Sequence, residues 1–363
     1  MWHPAAICDE CSARFDVESS RPVKISLVIP THRTSYSAIA RIAESASLDP
    51  NKFEVIVRDN SEDPAKRSLL THINSPCLEL RTVPNHGAFE NVAEAMRLSS
   101  GDFVLFLADD DWVSARALQQ LHSLATEVAA DSSVACLTGI YVIESSAASG
   151  TFRYDNLDSS NPVVRLEAYF AANGPNVLFY SAVRRPLMAF AIDLLERLPY
   201  KFSYHDQLIS MLYLSFGRIL QINRPLYFYD LGEWETADGT LSRDRNMYIG
   251  SGLPAEIDRL HWLLCGMEGG LVLNSQLLAK NHNYNRQALS DLWFANMFAR
   301  FKCHDRESGY QPSAINDATR QLKEKWLSES SVNLHELLFD MSDILALADP
   351  EGAKRYFDFW SSL

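Results

Sequence analysis

The chain has 363 residues, 47% of them hydrophobic and 22% charged, with 15 Gly and 15 Pro. That balance excludes a collagen, a coiled coil and a long disordered chain, and the length suits two domains or one α/β domain with an appendage. Lys and Arg total 33 against 46 Asp and Glu, and the net charge of −13 argues against duplex nucleic acid as a general partner.

Residues 1–22 read as an irregular lead-in without the apolar core of a signal peptide. Cys8 and Cys11, with His3 near, make half of a zinc motif and no second pair follows. A strand is predicted over 23–29 (VKISLVI), ended by Pro30, and a helix over 35–47. A second strand, 53–57, precedes a charged helix over 63–73; a third, 78–83, precedes a helix over 88–98. The fourth strand, 102–108 (DFVLFLA), is the most apolar, and Ser114 caps a helix to about residue 130. Such alternation predicts an α/β fold with a mostly parallel sheet, whose ligands bind at the carboxyl ends of the strands.

Those ends are polar: Pro30-Thr31-His32-Arg33, Asp59-Asn60-Ser61, Pro84-Asn85-His86-Gly87 and Asp109-Asp110-Asp111-Trp112. Three successive acids repel unless a cation offsets them, and hard oxygen donors suit Mg²⁺ or Mn²⁺. Asp109 and Asp111 would converge on one ion if the backbone stays extended; the plainer reading is an acidic turn. For Asp59 the alternatives are an acceptor for a base or ribose and an Asx turn. Gly87 permits close backbone approach, and Asn91, one turn into its helix, would face the site.

Further along, strands are predicted over 133–143, 176–183, 218–222 and 225–230, and a helix over 203–217. The polar stretch 231–253 reads as a loop, and the rest as helix. The apolar segment 257–281 is interrupted by Asp258, Arg259, His261, Glu268 and Lys280, and no stretch provides the ~20 apolar residues of a membrane span. The aromatics of the C-terminal helices read as core, with the final KRYFDFWSSL an alternative docking face for a membrane or a second copy.

Over about residues 23–115 these motifs together resemble the inverting, nucleotide-sugar-dependent glycosyltransferases of family 2, which have the GT-A fold. ISLVIPTHRT is similar to the opening strand and donor loop, FEVIVRDNSED to the second strand with its base-binding Asp, and PNHGAFENVAEAMRLSSGDFVLFLADDDWV to the central block ending in a DxD motif. The chain reads Leu107-Ala108-Asp109-Asp110-Asp111-Trp112 where members often carry Leu-Asp-x-Asp-Asp-Trp, so the metal-bearing acid is Asp110 or Asp111. Only Asn91 matches the family's Ala-Arg-Asn, which leaves its Arg without an owner.

The resemblance implies a GT-A domain over 23–253, with a donor half 23–130 and an acceptor half 131–253, followed by a helical C-terminal region 254–363. It implies a UDP- or dTDP-sugar donor. Pro30, Thr31, His32 and Asp59 would contact the nucleoside, with Arg33 in the same loop. Asn85, Gly87 and Asn91 would shape the donor pocket, and Asp109, Asp110 and Asp111 would hold ribose and the metal-bound diphosphate. The general base would be Asp206, or alternatively His205, at the start of the 203–217 helix; the plainer reading is a Ser203–Asp206 capping box. Arg243 and Arg245, on a loop closing over the donor, would meet the diphosphate, and Trp234 would stack on an acceptor sugar or be core.

The expected acceptor is a glycan, lipid-linked or protein hydroxyl in bacterial surface glycan synthesis, and nucleic acid is not expected as a partner. The expected location is the cytoplasm, with contact to the inner face of the membrane or to a second copy through the C-terminal helices. There the six cysteines would stay thiols. A sugar-nucleotidyltransferase is the competing enzyme class, but it would want a glycine-rich basic loop after the first strand, and Thr31-His32-Arg33-Thr34 has no glycine. A non-catalytic relative that binds nucleotide or glycan is the third reading.

Overall fold

The computed structural model describes residues 22–83, 87–145, 149–172, 176–278, 285–303, 312–329 and 332–363, and of Tyr36, Glu233 and Trp234 the backbone alone. The Cys8–Cys11 motif, Asn85 and the Trp234 side chain therefore lie outside the described residues.

The first half follows the predicted alternation. It runs β1 (Ile25–Thr31), α1 (Tyr36–Ser45), β2 (Phe53–Asp59), α2 (Pro64–Thr71), β3 (Leu78–Thr82), α3 (Ala88–Arg97) and β4 (Phe103–Phe106). A two-residue strand, β5 (Trp112–Val113), then leads into α4 (Ala115–Glu127). Caps explain the helix starts: Ser35, Asp63 and Ser114 each accept a backbone N–H of the first turn, and Pro64 fits the first turn after Asp63. Strands β1 and β4 are apolar on both faces because helices cover both.

The second half comprises β6 (Val134–Glu144), β7 (Ser149–Phe152), α5 (Pro162–Ala171), β8 (Ala182–Arg184), α6 (Arg185–Arg197), α7 (His205–Phe216), β9 (Arg218–Asp230) and α8 (Ala237–Gly250). Five helices follow, α9 (His261–Asn274), α10 (Arg286–Cys303), α11 (Ala314–Ser328), α12 (Leu334–Ala346) and α13 (Pro350–Ser361). The sheet order is β3-β2-β1-β4-β8-β6-β9-β5, with β7 on β6. Strands β3, β2, β1 and β4 are mutually parallel; β8 runs antiparallel to both β4 and β6, and β5 antiparallel to β9.

Four expectations change. Residues 176–183 form a short helical turn, Leu178–Tyr180, before the three-residue β8, so the aromatic run is a corner rather than a strand. The two strands expected over 218–230 are one. Residues 222–224 bulge between Gln221, paired with Thr138, and Pro225, paired with Ile140. Gly139 admits that bulge, because a Cβ there would lie 2.5 Å from Leu226 Cβ. The 231–253 loop is largely α8, capped by Thr236, which accepts from Gly239 N at 3.0 Å. It hides from periodicity because it buries Asp244 and Tyr248 and leaves Met247 and Ile249 exposed. Helices α5 and α6 carry no counterpart in the sequence reading.

Of the aromatics in the C-terminal helices, Trp293, Phe301, Trp326, Tyr356 and Trp360 are buried in the core, Trp262, Phe294, Phe298, Phe357 and Phe359 pack against it partly buried, and Phe339 is exposed. Among the described residues no helix is long and apolar enough to cross a membrane.

Candidate active site

Parallel register puts the first strand tips side by side. Thr31 pairs with Asp59, Asp59 with Thr82, and Leu107 N donates to Val28 O at 2.9 Å. A cleft of about 350 Å³ opens there, lined among others by Pro30, His32, Arg33, Asn60, Asn91 and Asp109.

The acid run turns instead of staying extended, with Asp111 N bonded to Ala108 O at 3.1 Å. Asp109 and Asp111 therefore diverge, which corrects the expectation that they converge. Asp109 is buried toward β1; it accepts from Thr31 Oγ1 at 2.6 Å and from the Arg33 amide at 3.2 Å, and its carboxylate also meets the Arg33 guanidinium. Burial alone would raise its pKa, but Thr31 and Arg33 outweigh burial and hold it below the ordinary value. Asp111 is buried toward β9, accepting from Tyr227 OH at 2.8 Å and from the Asp230 amide at 2.9 Å. Here burial wins, and its pKa is pushed up to about 7. Asp110, between them, is half exposed; burial and its acidic neighbours raise it although Arg33 Nη2 is 2.7 Å away. Two neighbouring oxygen-donor groups with too little positive charge fit a divalent cation.

Asp59 takes the plainer of its two expected roles. It closes an Asx turn, accepting Ser61 N at 3.2 Å, and its Oδ2 is buried without a partner. A residue that sequence reasoning missed, Lys66, is buried beside it. Its Nζ lies 2.9 Å from Asp59 Oδ1 and 2.8 Å from Thr31 Oγ1, so one ammonium ties the β2 tip to the Asp109 ligand shell. Asn91 faces the cleft but is also committed to Arg58, accepting from Nη1 at 2.5 Å. Gly87 caps α3 without a side chain.

Asp206 stands in the first turn of α7. No capping box forms: the cap residue is Tyr204, with no side-chain bond, and Ser203 Oγ is buried without a partner. Burial lifts Asp206 to about 7, against Asn176 and the Gln207 amide, and Asp244 of α8 adds repulsion. Desolvation thus overrides the helix N-terminus, which alone would lower the pKa. His205 turns away. Its Nδ1 accepts from Phe202 N at 3.2 Å and its Nε2 is 3.5 Å from Glu268 of α9, which also accepts from Tyr356 OH at 2.6 Å. The Leu178–Tyr180 turn packs against both β4 and α7, and the carboxylates of Asp111 and Asp206 both push the phenols of Tyr180 and Tyr229 up, after burial.

Arg243 and Arg245 lie on α8, not on a lid, and Arg245 Nε is 3.3 Å from the buried Asp258. Asp244, Asp258 and His261 bring ligand atoms within 4.8 Å of one another. Arg245 gives this cluster a counter-charge, and Tyr248 OH lies 3.3 Å from His261 Nδ1.

Residues 26–185 match the family model described as Glycosyl transferase family 2. No curated protein matches the chain in sequence. Among solved structures, S. aureus TarS residues 1–349 is similar at a TM-score of 0.51 and 15% identity, covering 93% of this chain and 90% of that one. The same TarS fragment in complex with UDP-GlcNAc gives 0.52 and 14%, covering 93% and 91%. Residues 26–185 are thus similar to a family 2 glycosyltransferase domain, and the chain has the GT-A glycosyltransferase fold.

Proposed function

We propose that the protein is a metal-dependent, inverting transferase that moves a sugar from a UDP- or dTDP-type nucleotide donor to a hydroxyl of a glycan, lipid-linked or protein acceptor in surface glycan synthesis. The observation that carries this reading is the packing of the Leu178–Tyr180 turn against both β4, which leads into the Asp109–Asp111 run, and α7, whose first turn carries Asp206. The UDP-GlcNAc complex of the similar TarS structure supports the donor class.

In this reading Pro30 and His32, which line the cleft, flank the nucleoside, while Thr31 and Asp59 are buried behind that wall, where Thr31 holds Asp109 and Asp59 pairs with Lys66. Asn91, at the cleft wall, and Gly87, at the start of its helix, shape the donor pocket. Arg33, partly exposed between Asp109 and Asp110, is the cation nearest the diphosphate position; Arg245 is engaged by Asp258. The acid run would hold Mn²⁺ or Mg²⁺, with Asp110 the most accessible carboxylate and Asp111 the one most in need of a counter-charge. A bound ion would supply a Lewis acid to the leaving diphosphate.

Asp206 is the base. With a pKa near 7 it is substantially ionised at neutral pH and basic enough to take the acceptor hydroxyl's proton as oxygen attacks the anomeric carbon. His205, turned to Glu268, leaves that role to Asp206. One displacement without a covalent intermediate inverts the anomeric centre.

The test is nucleoside diphosphate release from a panel of UDP- and dTDP-sugars with Mn²⁺, with the product anomer read by NMR. Asp206→Asn is expected to lose about 10²–10⁴-fold in turnover and to keep UDP binding; Asp111→Asn is expected to lose Mn²⁺-dependent donor binding. Full turnover in both variants refutes the assignment. Pyrophosphate release from a nucleoside triphosphate and a sugar phosphate would make the protein a nucleotidyltransferase.

A further inference from the structure

Three tyrosines wall the region between Asp111 and Asp206. Tyr227 and Tyr229 sit two apart on β9 and share a face of the sheet. Tyr180 comes from the 178–180 turn, with its ring centroid 4.8 Å from Tyr227 and 5.3 Å from Tyr229. The turn packs on both β4, which leads into the acid run, and α7, whose first turn carries Asp206. Asn176, just before the turn, reinforces this by accepting from Ser210 Oγ of α7 at 2.9 Å. Phe106, 5.7 Å from Tyr180 ring to ring, also lines the donor cleft, so the wall continues that cleft.

The three rings differ in what they leave available. Tyr227 is buried and its hydroxyl is spent, donating to Asp111 at 2.8 Å and accepting from Ala108 N at 3.2 Å. Tyr180 and Tyr229 are only half buried, and their hydroxyls hydrogen-bond each other, which leaves the pair with lone pairs and one O–H for a ligand. Burial and the two carboxylates push both phenols up, so both stay protonated and neutral. Half-buried rings with protonated hydroxyls, between an acid run and a base, suit a ligand with an apolar face and a hydroxyl edge. A pyranose is such a ligand: its axial C–H face is weakly positive and meets the negative face of an aromatic ring, while its hydroxyls exchange hydrogen bonds with phenols.

We propose that Tyr180 and Tyr229 form a sugar subsite that holds one pyranose ring between the Asp109–Asp111 run and Asp206. The inference rests on the transferase reading and deepens it by naming what orients the sugar. The ring is that of the transferred sugar or of the acceptor's terminal residue, and the same experiment separates them. If the tyrosines were only packing, losing a hydroxyl would touch stability and leave substrate constants alone.

Tyr180→Phe and Tyr229→Phe keep the rings and remove one hydroxyl each. Binding of UDP is measured by calorimetry, donor and acceptor KM by nucleoside diphosphate release, and folding by a thermal midpoint. UDP affinity is expected to stay within about twofold of the parent, because UDP carries no sugar ring. A lost hydrogen bond corresponds to about a threefold to tenfold rise in one substrate KM. A rise in donor KM alone assigns the subsite to the transferred sugar, and a rise in acceptor KM alone to the acceptor. If both variants match the parent in both constants while the parent turns over, the subsite is wrong and the transferase reading stands. If the parent neither binds UDP nor releases it from any sugar nucleotide, both fall.

Discussion

Replacing Lys66 by Met leaves the Asp59 carboxylate buried without its counter-charge, with only the Ser61 amide still bonded to it. Asp59 and Lys66 are 0% and 1% exposed, and the ammonium is 2.9 Å from Asp59 and 2.8 Å from Thr31. Met fills most of the volume of the Lys stem, so little of the effect comes from packing. Breaking a buried pair from one side costs about 3–5 kcal/mol, a large part of a typical folding stability of about 5–15 kcal/mol. Lys66→Met combined with Asp59→Leu removes both charges and should recover most of that loss, because an apolar pair in place of a buried ion pair is often neutral. Urea unfolding followed by tryptophan fluorescence measures both variants, and the cycle gives the coupling energy directly. A single-variant loss below about 1 kcal/mol, or a double variant no better than the single, would refute the claim that this pair is held out of water.

Asp206 must be ionised to act as base, so turnover is expected to fall as pH drops through about 7, and a pH–rate profile checks this. Asp111 and Asp206 titrate near 7 in the folded chain but at ordinary carboxylate values when unfolded. Between those limits the native state binds the extra protons, so this stabilising contribution is lost as pH rises through 7. Urea midpoints of the metal-free protein should therefore be higher at about pH 6 than at about pH 8, and Mn²⁺ with UDP should raise the pH 8 value. Arg33→Met frees Asp109 and Asp110 of a cation; Mn²⁺ affinity without donor, read by electron spin resonance, should rise, while UDP affinity falls. Gly139→Ala drives a Cβ to 2.5 Å from Leu226 Cβ and 2.9 Å from Arg224 O, so it should cost about 1–3 kcal/mol in urea unfolding.

Much of the donor half is legible in the linear chain because its signals are local. Apolar runs such as Ile25–Thr31 and Phe53–Asp59 declare strands, and Ser114 and Asp63 declare helix starts. Parallel alternation then dictates which tips share an edge, and that edge holds Thr31, Asp59 and Asp109. Helix α8 escaped because its buried positions, Asp244 and Tyr248, are polar or amphipathic, while the exposed Ile249 mimics a core residue. Lys66 escaped because a lysine on a short helix reads as solvated until its partner on another strand is known.

The order of the strand tips, the acid run and the helix carrying Asp206 are properties of the sequence alone, since each depends on residues within one or two turns of chain. Tertiary structure decided which way each acid faces, whether an ammonium or an arginine neutralises it, and that Tyr180 stands beside Tyr229. Arg33 and Asp109, and Tyr180 and Tyr229, are dozens of positions apart, and even Lys66 meets Asp59 only because its helix packs back on the strand; burial, which sets both the charge of Asp111 and the basicity of Asp206, arises only when such distant segments pack together.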